Sequence, residues 1–453
     1  MHKSPVGSSL SRRSFLRRSM ATLATVSVVP GYVLGLRGQT PPSRKLNLAI
    51  LGVGSRGRAI ADMFRGQNIV AFCDADERQA ERARQAYGPS PFYQDYRRLL
   101  DRHASALDGV VVASADNSHA MLVTAALELG KHVYCEKPLT RTIGEARALR
   151  ALADRKKVIT QLGNQGHSSD RIRDVCEWVW DGAIGRVHTV HAFCRSNYSR
   201  IGDLARLAER PPVPSELSWD LWLAGAAFQP FHPMYLNGQW RGWSAFGCGV
   251  IGDWVCHVVD PAFWALDLGA PVTVQAEPRD FDPARHAATF PPGTKVTYQF
   301  PAKANRGPVT LIWYDGVERP PRPAELPADE SLPPTGAVLV GDKGAIVHGS
   351  HGAANARIFP DERMAAYTKP APKLPRVKGS HADDWFEAIR QGRPAGSNFT
   401  YGAALTEIAL LGVIALRFPG QRLEWDAARM RFSNNPAANA FVNPKPRRLG
   451  QGL

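Results

Sequence analysis

The chain has 453 residues, 44% of them apolar and 21% charged, with 56 Lys and Arg against 41 Asp and Glu for a formal charge of +15. That length supports two domains and a large core, and the composition is that of a soluble globular protein. The basic residues are dispersed (Arg97-Arg98, Lys156-Lys157, Arg447-Arg448) and form no aromatic-interleaved stripe, which argues against a nucleic-acid binder.

The first 36 residues carry five basic side chains and no acid, including the twin-arginine stretch S-R-R-S-F-L-R at 11–17. The apolar run Met20 to Leu36 is interrupted by Pro30 and Gly31, and falls short of the about 20 apolar residues that a membrane span needs. This is the pattern of a twin-arginine export signal over 1–36, read by a route that moves folded proteins, and it places the protein in the periplasm or otherwise outside the cytoplasm. A retained N-terminal anchor is the competing reading. After a Pro/Ser linker at 40–45, strands and helices alternate: strand 46–51, helix 56–66, strand 68–73, helix 75–87, strand 109–114, helix 118–129, strand 132–135, helix 140–155 and strand 158–162. Strands apolar on both faces and separated by helices predict a doubly wound parallel sheet over 45–165.

Beyond about 165 the pattern changes. A helix at 171–181 and a strand at 186–193 precede a Pro- and Trp-rich stretch at 210–245. Strands follow at 272–278, 294–301, 308–314 and 337–348, with a Pro-rich surface loop at 318–334 and late helices at 380–392 and 400–417. Consecutive strands predict a mainly antiparallel sheet in an α/β domain over 166–442, followed by a basic tail at 443–453. The six cysteines (73, 135, 176, 194, 248, 256) contain no C-x-x-C pair and read as buried thiols rather than metal ligands.

Gly52, Gly54 and Gly57 form G-x-G-x-x-G between a strand and a helix. Such glycines allow a tight turn, close backbone approach to a pyrophosphate, and helix–strand packing, with the phosphates at a helix N-terminus. Asp74 ends the second strand 22 residues after Gly52, where an acid accepts hydrogen bonds from ribose hydroxyls and repels a 2′-phosphate. The expected cofactor is NAD, with Arg56 and Arg78 leaving NADP open.

Two further groups carry chemistry. Glu136-Lys137-Pro138 follows a strand, at the edge where open α/β sheets bind ligands. A Lys there can donate to a hydroxyl or to the developing oxyanion of a ketone; a solvated turn lysine is the plain alternative. In G-C-G-V-I-G-D-W-V-C-H at 247–257, Asp253 and His257 are i and i+4 and share a helix face. A His tuned by an Asp suits a general base. Zinc ligation lacks a third ligand, and a helix-stabilising pair is the plain alternative. Asn164, Gln165 and His167 end a strand and suit hydroxyl recognition. Trp240 and Arg241 suit stacking on a sugar ring, with core packing the alternative for neighbouring tryptophans.

G-x-G-x-x-G, E-K-P at 136–138 and D-x-x-x-H at 253–257, in that order, resemble the Gfo/Idh/MocA family of oxidoreductases. The likeness extends through W-D-L-W-L-A-G-A at 219–226, W-R-G-W-x-x-F-G at 240–247 and H-A-D-D-W-F-E-A-I at 381–389, so it spans about 45–442 and is strongest to the exported branch. S-A-D-N-S-H at 114–119 departs from the relatives' Thr-Pro-Asn but keeps His119. The resemblance implies a Rossmann domain plus an α/β domain with a large open sheet. It also implies Lys137, Asp253 and His257 as the catalytic set, and Ser55, Arg56, Ser114, Asn117, His119 and Glu136 beside the glycines, Asp74 and Lys137 as cofactor contacts. Assembly as dimers or tetramers follows from the same likeness. The expected activity is oxidation of a sugar hydroxyl with a tightly held, internally recycled nicotinamide. The alternatives are an NAD-dependent glycosidase working by oxidation, elimination, hydration and reduction, and a non-catalytic sugar-binding protein.

Overall fold

The computed structural model describes residues 44–450; the twin-arginine stretch lies outside them. The first sheet is built from β1 (Asn47–Leu51), β2 (Asn68–Cys73), β3 (Phe92–Tyr93), β4 (Gly109–Val112), β5 (His132–Cys135) and β6 (Thr160–Leu162). Its order is β3-β2-β1-β4-β5-β6 and every pairing is parallel. The central strands are continuous apolar runs because helices cover both faces: Val110, Val111, Val112 and Ile50 are wholly buried. The strand order reverses between β1 and β4, which opens a crevice at their carboxyl ends.

The second sheet holds nine strands: β7 (Val187–Cys194), β8 (Thr273–Pro278), β9 (Gly293–Phe300), β10 (Val309–Gly316), β11 (Thr335–Gly341), β12 (Gly344–Gly349), β13 (Arg357–Phe359), β14 (Leu423–Asp426) and β15 (Arg431–Phe432). Only β7 and β10 pair in parallel; the remaining ladders are antiparallel. The strand expected at 337–348 is a hairpin, turned at Asp342-Lys343 so that Gly341 pairs with Gly344. The helix expected at 56–66 breaks at Ile60 into Ser55–Ala59 and Ala61–Phe64. The segment 318–334 holds no helix or strand, and its Leu326 packs on the sheet against Phe193, Tyr314 and Val338.

Two helices join the sheets. Gly249–Val258 and Phe399–Ala415 pack together on the inner face of the large sheet, in one core with Trp313, Tyr298 and Leu311. Phe399–Ala415 is apolar almost all round because it also reaches the first sheet, where Leu139 donates its N–H to Thr406 Oγ1 at 3.1 Å. Both sheets belong to one compact unit that begins at Leu46. All six cysteines are buried and unpaired. Among the described residues no helix is long and apolar enough to cross a membrane.

The last described residues are docked at Arg447. Arg447 reaches Asp220 Oδ1 at 2.6 Å and donates to the carbonyls of Asp220, Ala224 and Ala226, while its own N–H meets the Gly225 carbonyl. The guanidinium is only 6% exposed. Arg447→Ala leaves Asp220 and three carbonyls short of a donor, and is expected to cost about 3 kcal/mol. A urea melt with a lower midpoint and an unchanged slope checks this; a midpoint equal to wild type contradicts it.

Candidate active site

The glycine turn is shaped by what stands against it. A Cβ on Gly52, whose φ is +88°, would lie 2.4 Å from the Ser114 nitrogen at the end of β4. A Cβ on Gly57 would lie 2.2 Å from the Gly52 carbonyl oxygen. Gly54 differs: its Cβ would meet only Asp74 Oδ2, at 4.0 Å, so this position faces open space. The turn thus leaves backbone bare beside a cleft of about 1040 Å³ lined by Gly52, Gly54, Ser55, Arg56, Asp74, Ser114 and Ser118 on one side and Trp222, Asn237, Gly238, Trp240 and Arg241 on the other. This is the cradle a pyrophosphate needs, and the residues present fit a dinucleotide.

Asp74 accepts from the Val53 and Asp76 backbone N–H groups at 3.0 and 3.1 Å. Burial, only partly offset by those donors, pushes its carboxyl up to about 6. The two arginines that would greet a 2′-phosphate are both committed. Arg78 makes a bidentate pair with Asp76 at 2.7 and 2.9 Å, and Arg56 reaches Glu136 Oε1 at 3.0 Å. Asp74 and Asp76 both line the cleft, which suits the free ribose hydroxyls of NAD.

Other expected cofactor residues shape the crevice through the backbone. His119 sits between the carbonyls of Pro138 and Ser114, its two ring nitrogens 2.9 and 3.2 Å from them, and a neutral ring donates to one of the two, packing the loop after β4 against the loop after β5. Asn117 donates to the carbonyls of Trp222 and Leu223, which brings the tryptophan segment over the cleft. Ser114 Oγ lies 2.6 Å from Ser118 Oγ. Glu136, 3% exposed, accepts from both Arg56 and Gln165.

A second cavity of about 1030 Å³ adjoins the first and shares Ser55, Arg56, Asn237, Gly238 and Arg241 with it. Lys137, Asp253 and His257 line it together. Lys137 Nζ donates to Asp253 Oδ1 at 2.5 Å and to the Asp253 carbonyl at 2.9 Å. Tyr198 donates its hydroxyl to Asp253 Oδ2 at 2.6 Å, and Arg241 Nε stands 3.3 Å from Oδ1. Burial alone would raise the Asp253 carboxyl, but the charges of Lys137 and Arg241 hold it well below the usual carboxylate range. Asp253 therefore orients the lysine; its oxygens go to Lys137, Tyr198 and Arg241, and none to His257.

His257 sits one turn further along the same helix, 4% exposed, with Nδ1 buried and without a hydrogen-bond partner. His351, from the loop after β12, stacks on it at 4.2 Å between ring centroids. Burial, then the charge of Lys137 and the neighbouring His351, push His257 well below its ordinary value. The imidazole is held neutral and ready to take a proton. Since its folded value is lowered, the neutral form persists to lower pH than a free histidine allows. The kcat/KM profile is accordingly expected to stay flat through pH 6.5, and an acid limb centred at 6.5 or above would contradict that.

Five substrate-contact expectations fare unequally. Arg241 lines both cavities, its guanidinium 4.2 Å over the Trp240 ring. Trp240 lines only the cofactor cleft and packs among Trp219, Tyr235 and Phe246. Asn164 and His167 do not reach either cavity. Both are buried against Asp260: Asn164 Nδ2 lies 3.0 Å from Oδ2 and His167 Nδ1 3.1 Å from Oδ1, while Tyr401 fills the remaining place on Oδ1. Gln165 turns to Glu136 at 2.8 Å and Tyr134 at 3.0 Å. Tyr198, Arg200, Trp254 and His351 join the site without having been singled out in the sequence. Trp254 was legible in principle, being flanked by the D-x-x-x-H pattern; the other three come from connections with no periodic signal. Among the described residues no group of His, Cys, Asp and Glu could hold a metal ion.

This architecture defines a two-lobed dinucleotide-binding protein with a second cavity beside the cofactor cleft. Residues 46–164 match the model of an oxidoreductase family's NAD-binding Rossmann fold, and residues 196–302 match that family's C-terminal alpha/beta domain. The chain belongs to the Gfo/Idh/MocA oxidoreductase family. It is similar to the D-apiose dehydrogenase of Paraburkholderia graminis, 33% identical over 149 residues, 32% of this chain and 39% of that protein. The inositol 2-dehydrogenase of Gluconacetobacter diazotrophicus is 28% identical over 183 residues, 39% of this chain and 54% of the other. The chain thus matches about half or less of these relatives' length. The fold is that of the WlbA dehydrogenase from Bordetella pertussis solved with NADH and UDP-GlcNAcA, at a TM-score of 0.58 and 15% identity over 84% of this chain and 99% of that one.

Proposed function

We propose that this protein is an NAD-dependent oxidoreductase acting on a sugar hydroxyl. One observation carries the reading: Lys137 and His257 line a cavity that adjoins the glycine cleft and shares Arg56, Gly238 and Arg241 with it. The bound dinucleotide supplies a hydride acceptor. His257 takes the hydroxyl proton, since its imidazole is neutral. Lys137, steadied by Asp253, donates to the oxygen as negative charge develops there, which is the role a positioned cation performs beside a developing oxyanion. Tyr198 and Arg241 fix Asp253 and so fix the lysine.

The twin-arginine stretch supports export of the folded and loaded protein. A nicotinamide carried out in this way has no external pool, so the proposal includes a cofactor that stays bound and is reset within the cycle. Assembly as a dimer or tetramer is part of the same proposal.

The test is a panel of aldoses, inositols and methyl glycosides added to NAD-loaded protein, read at 340 nm. A band that grows with one sugar class is expected. No change with any sugar would overturn the reading. Release of nitrophenol from a nitrophenyl glycoside without added cofactor would move it to the elimination route.

A further inference from the structure

We propose that the cavity beyond the dinucleotide cleft takes a sugar carrying an anionic group, a carboxylate or a phosphate, and that Arg200 receives that group. The proposal rests on the reading of this site as a sugar oxidoreductase and names the substrate class.

The charges in the cavity wall do not balance. Arg56, Lys137, Arg200 and Arg241 line it, against the single carboxylate of Asp253. Lys137 and Arg241 share that carboxylate, and Tyr198 occupies its second oxygen. Arg56 is answered from behind by Glu136. Arg200 is left with Asp203, at 3.6 Å and beyond hydrogen-bond length, where both side chains are about one-third exposed (30% and 34%). A surface contact of that kind contributes little. Counting Glu136 and Asp203, four cations face three carboxylates, of which the cavity holds one; a further carboxyl, Asp116, lies near Arg241 and Lys137 outside the cavity wall, where burial pushes it up to about 7.

Arg200 is also built in, not draped over the rim. Its backbone N–H donates to Thr289 Oγ1 at 2.8 Å, and Thr289 Oγ1 in turn donates to the Gly242 carbonyl. The side chain lies on Gly242, where a Cβ would come within 3.0 Å of Arg200 Cγ and 3.2 Å of Nε. The same Cβ would strike the Tyr198 carbonyl oxygen first, at 2.4 Å, so only glycine leaves both that carbonyl and the Arg200 side chain in place. In this seat Nε is buried and has no hydrogen-bond partner. With Nε turned onto Gly242, the rest of the guanidinium carries the side chain's exposure and presents a planar fork suited to a carboxylate or phosphate. Arg56 Nε and His257 Nδ1 are unpaired in the same wall. The positive field reaches the histidines as well: after burial, the charge of Lys137 is the next cause that keeps both His257 and His351 toward their neutral forms. A neutral sugar could fill the space but would leave that field unanswered.

The experiment uses NAD-loaded protein and matched triplets in the gluco, galacto and manno series: the methyl glycoside, its uronate and its 6-phosphate. Calorimetry gives Kd, and absorbance at 340 nm separately reports turnover. In at least one series an anionic member is expected to bind about tenfold or more tighter than its neutral parent, the scale of one charge-assisted hydrogen bond, with the advantage shrinking as salt is raised. The tighter of uronate and phosphate identifies the group. Arg200→Gln is expected to bring the acid-to-neutral ratio close to one, and Arg200→Lys to restore part of it, with melting curves confirming that both variants fold. Equal binding of neutral and anionic members in every series, no binding of any anion, or an Arg200→Gln variant that keeps the ratio would each overturn the proposal. Selective anion binding with no change at 340 nm would support it while contradicting the redox reading; turnover of neutral sugars alone would do the reverse.

Discussion

Replacing Lys137 by Ala is expected to lower kcat/KM about a thousandfold, equivalent to about 4 kcal/mol of transition-state stabilisation. Lys137 sits in the loop after β5, 9% exposed, with its ammonium pinned by the carboxylate and the carbonyl of one residue, Asp253. That double hold leaves the remaining ammonium proton for an oxygen in the cavity. Alanine removes the cation and leaves Asp253 to Arg241 and Tyr198, so the fold keeps partners for the carboxylate while the reaction loses its donor. Lys137→Arg keeps the charge but not the compact donor, and a drop intermediate between wild type and alanine is expected. A Lys137→Ala enzyme within a few-fold of wild type would remove the lysine from the mechanism.

Gly54→Val is expected to weaken NAD binding about a hundredfold or more without lowering the melting temperature of the cofactor-free protein. The reasoning is spatial. A Cβ at Gly54 meets nothing closer than Asp74 Oδ2 at 4.0 Å, so the branched side chain enters the cleft, where backbone must approach the pyrophosphate. Gly57→Ala provides the contrast. Its methyl would stand 2.2 Å from the Gly52 carbonyl, a backbone atom that cannot turn aside, and about 3 kcal/mol of stability should be lost. Fluorescence titration with NADH and thermal melts separate the two effects. Equal melting losses in both variants would mean that Gly54 is a packing position.

The first sheet was readable because its physics is local: strands buried on both faces become continuous apolar runs such as G-V-V-V at 109–112, and helices must separate parallel strands. The second sheet was harder. Thr335–Gly341 and Gly344–Gly349 are apolar on both sides of a two-residue turn, and the pattern does not interrupt itself enough to mark the hairpin. Phe92–Tyr93, Arg357–Phe359, Leu423–Asp426 and Arg431–Phe432 are too short for any periodicity. The helix Tyr96–His103 has an Asp95 cap but buries only Leu99 and Leu100 among charged neighbours, too narrow a stripe to mark it.

In the site, what could be read was what spacing encodes: the glycine turn, the acid at the end of β2, and Asp253 and His257 on one helix face. What could not was which side chain answers which. Asp253 and His257 share a face, yet the carboxylate serves Lys137 from 116 residues away. Asn164 and His167 end a strand as ligand residues do, but Asp260, Ser397 and Tyr401 draw them inward. Arg200 and His351 reach the cavity only because β7 and β12 end beside it.

In the proposed reaction one hydride passes from a sugar carbon to a nicotinamide where the two cavities adjoin, with Lys137 and His257 acting on the oxygen. A single-turnover reaction of the NAD-loaded protein with a sugar deuterated at its carbinol carbons tests this directly, by mass spectrometry of the released dinucleotide. One deuterium on the nicotinamide in wild type, and none in the same interval with Lys137→Ala, is the expected result. Product formed with the deuterium lost to water, or with none on the nicotinamide at any quench time before the cofactor is reset, would contradict it.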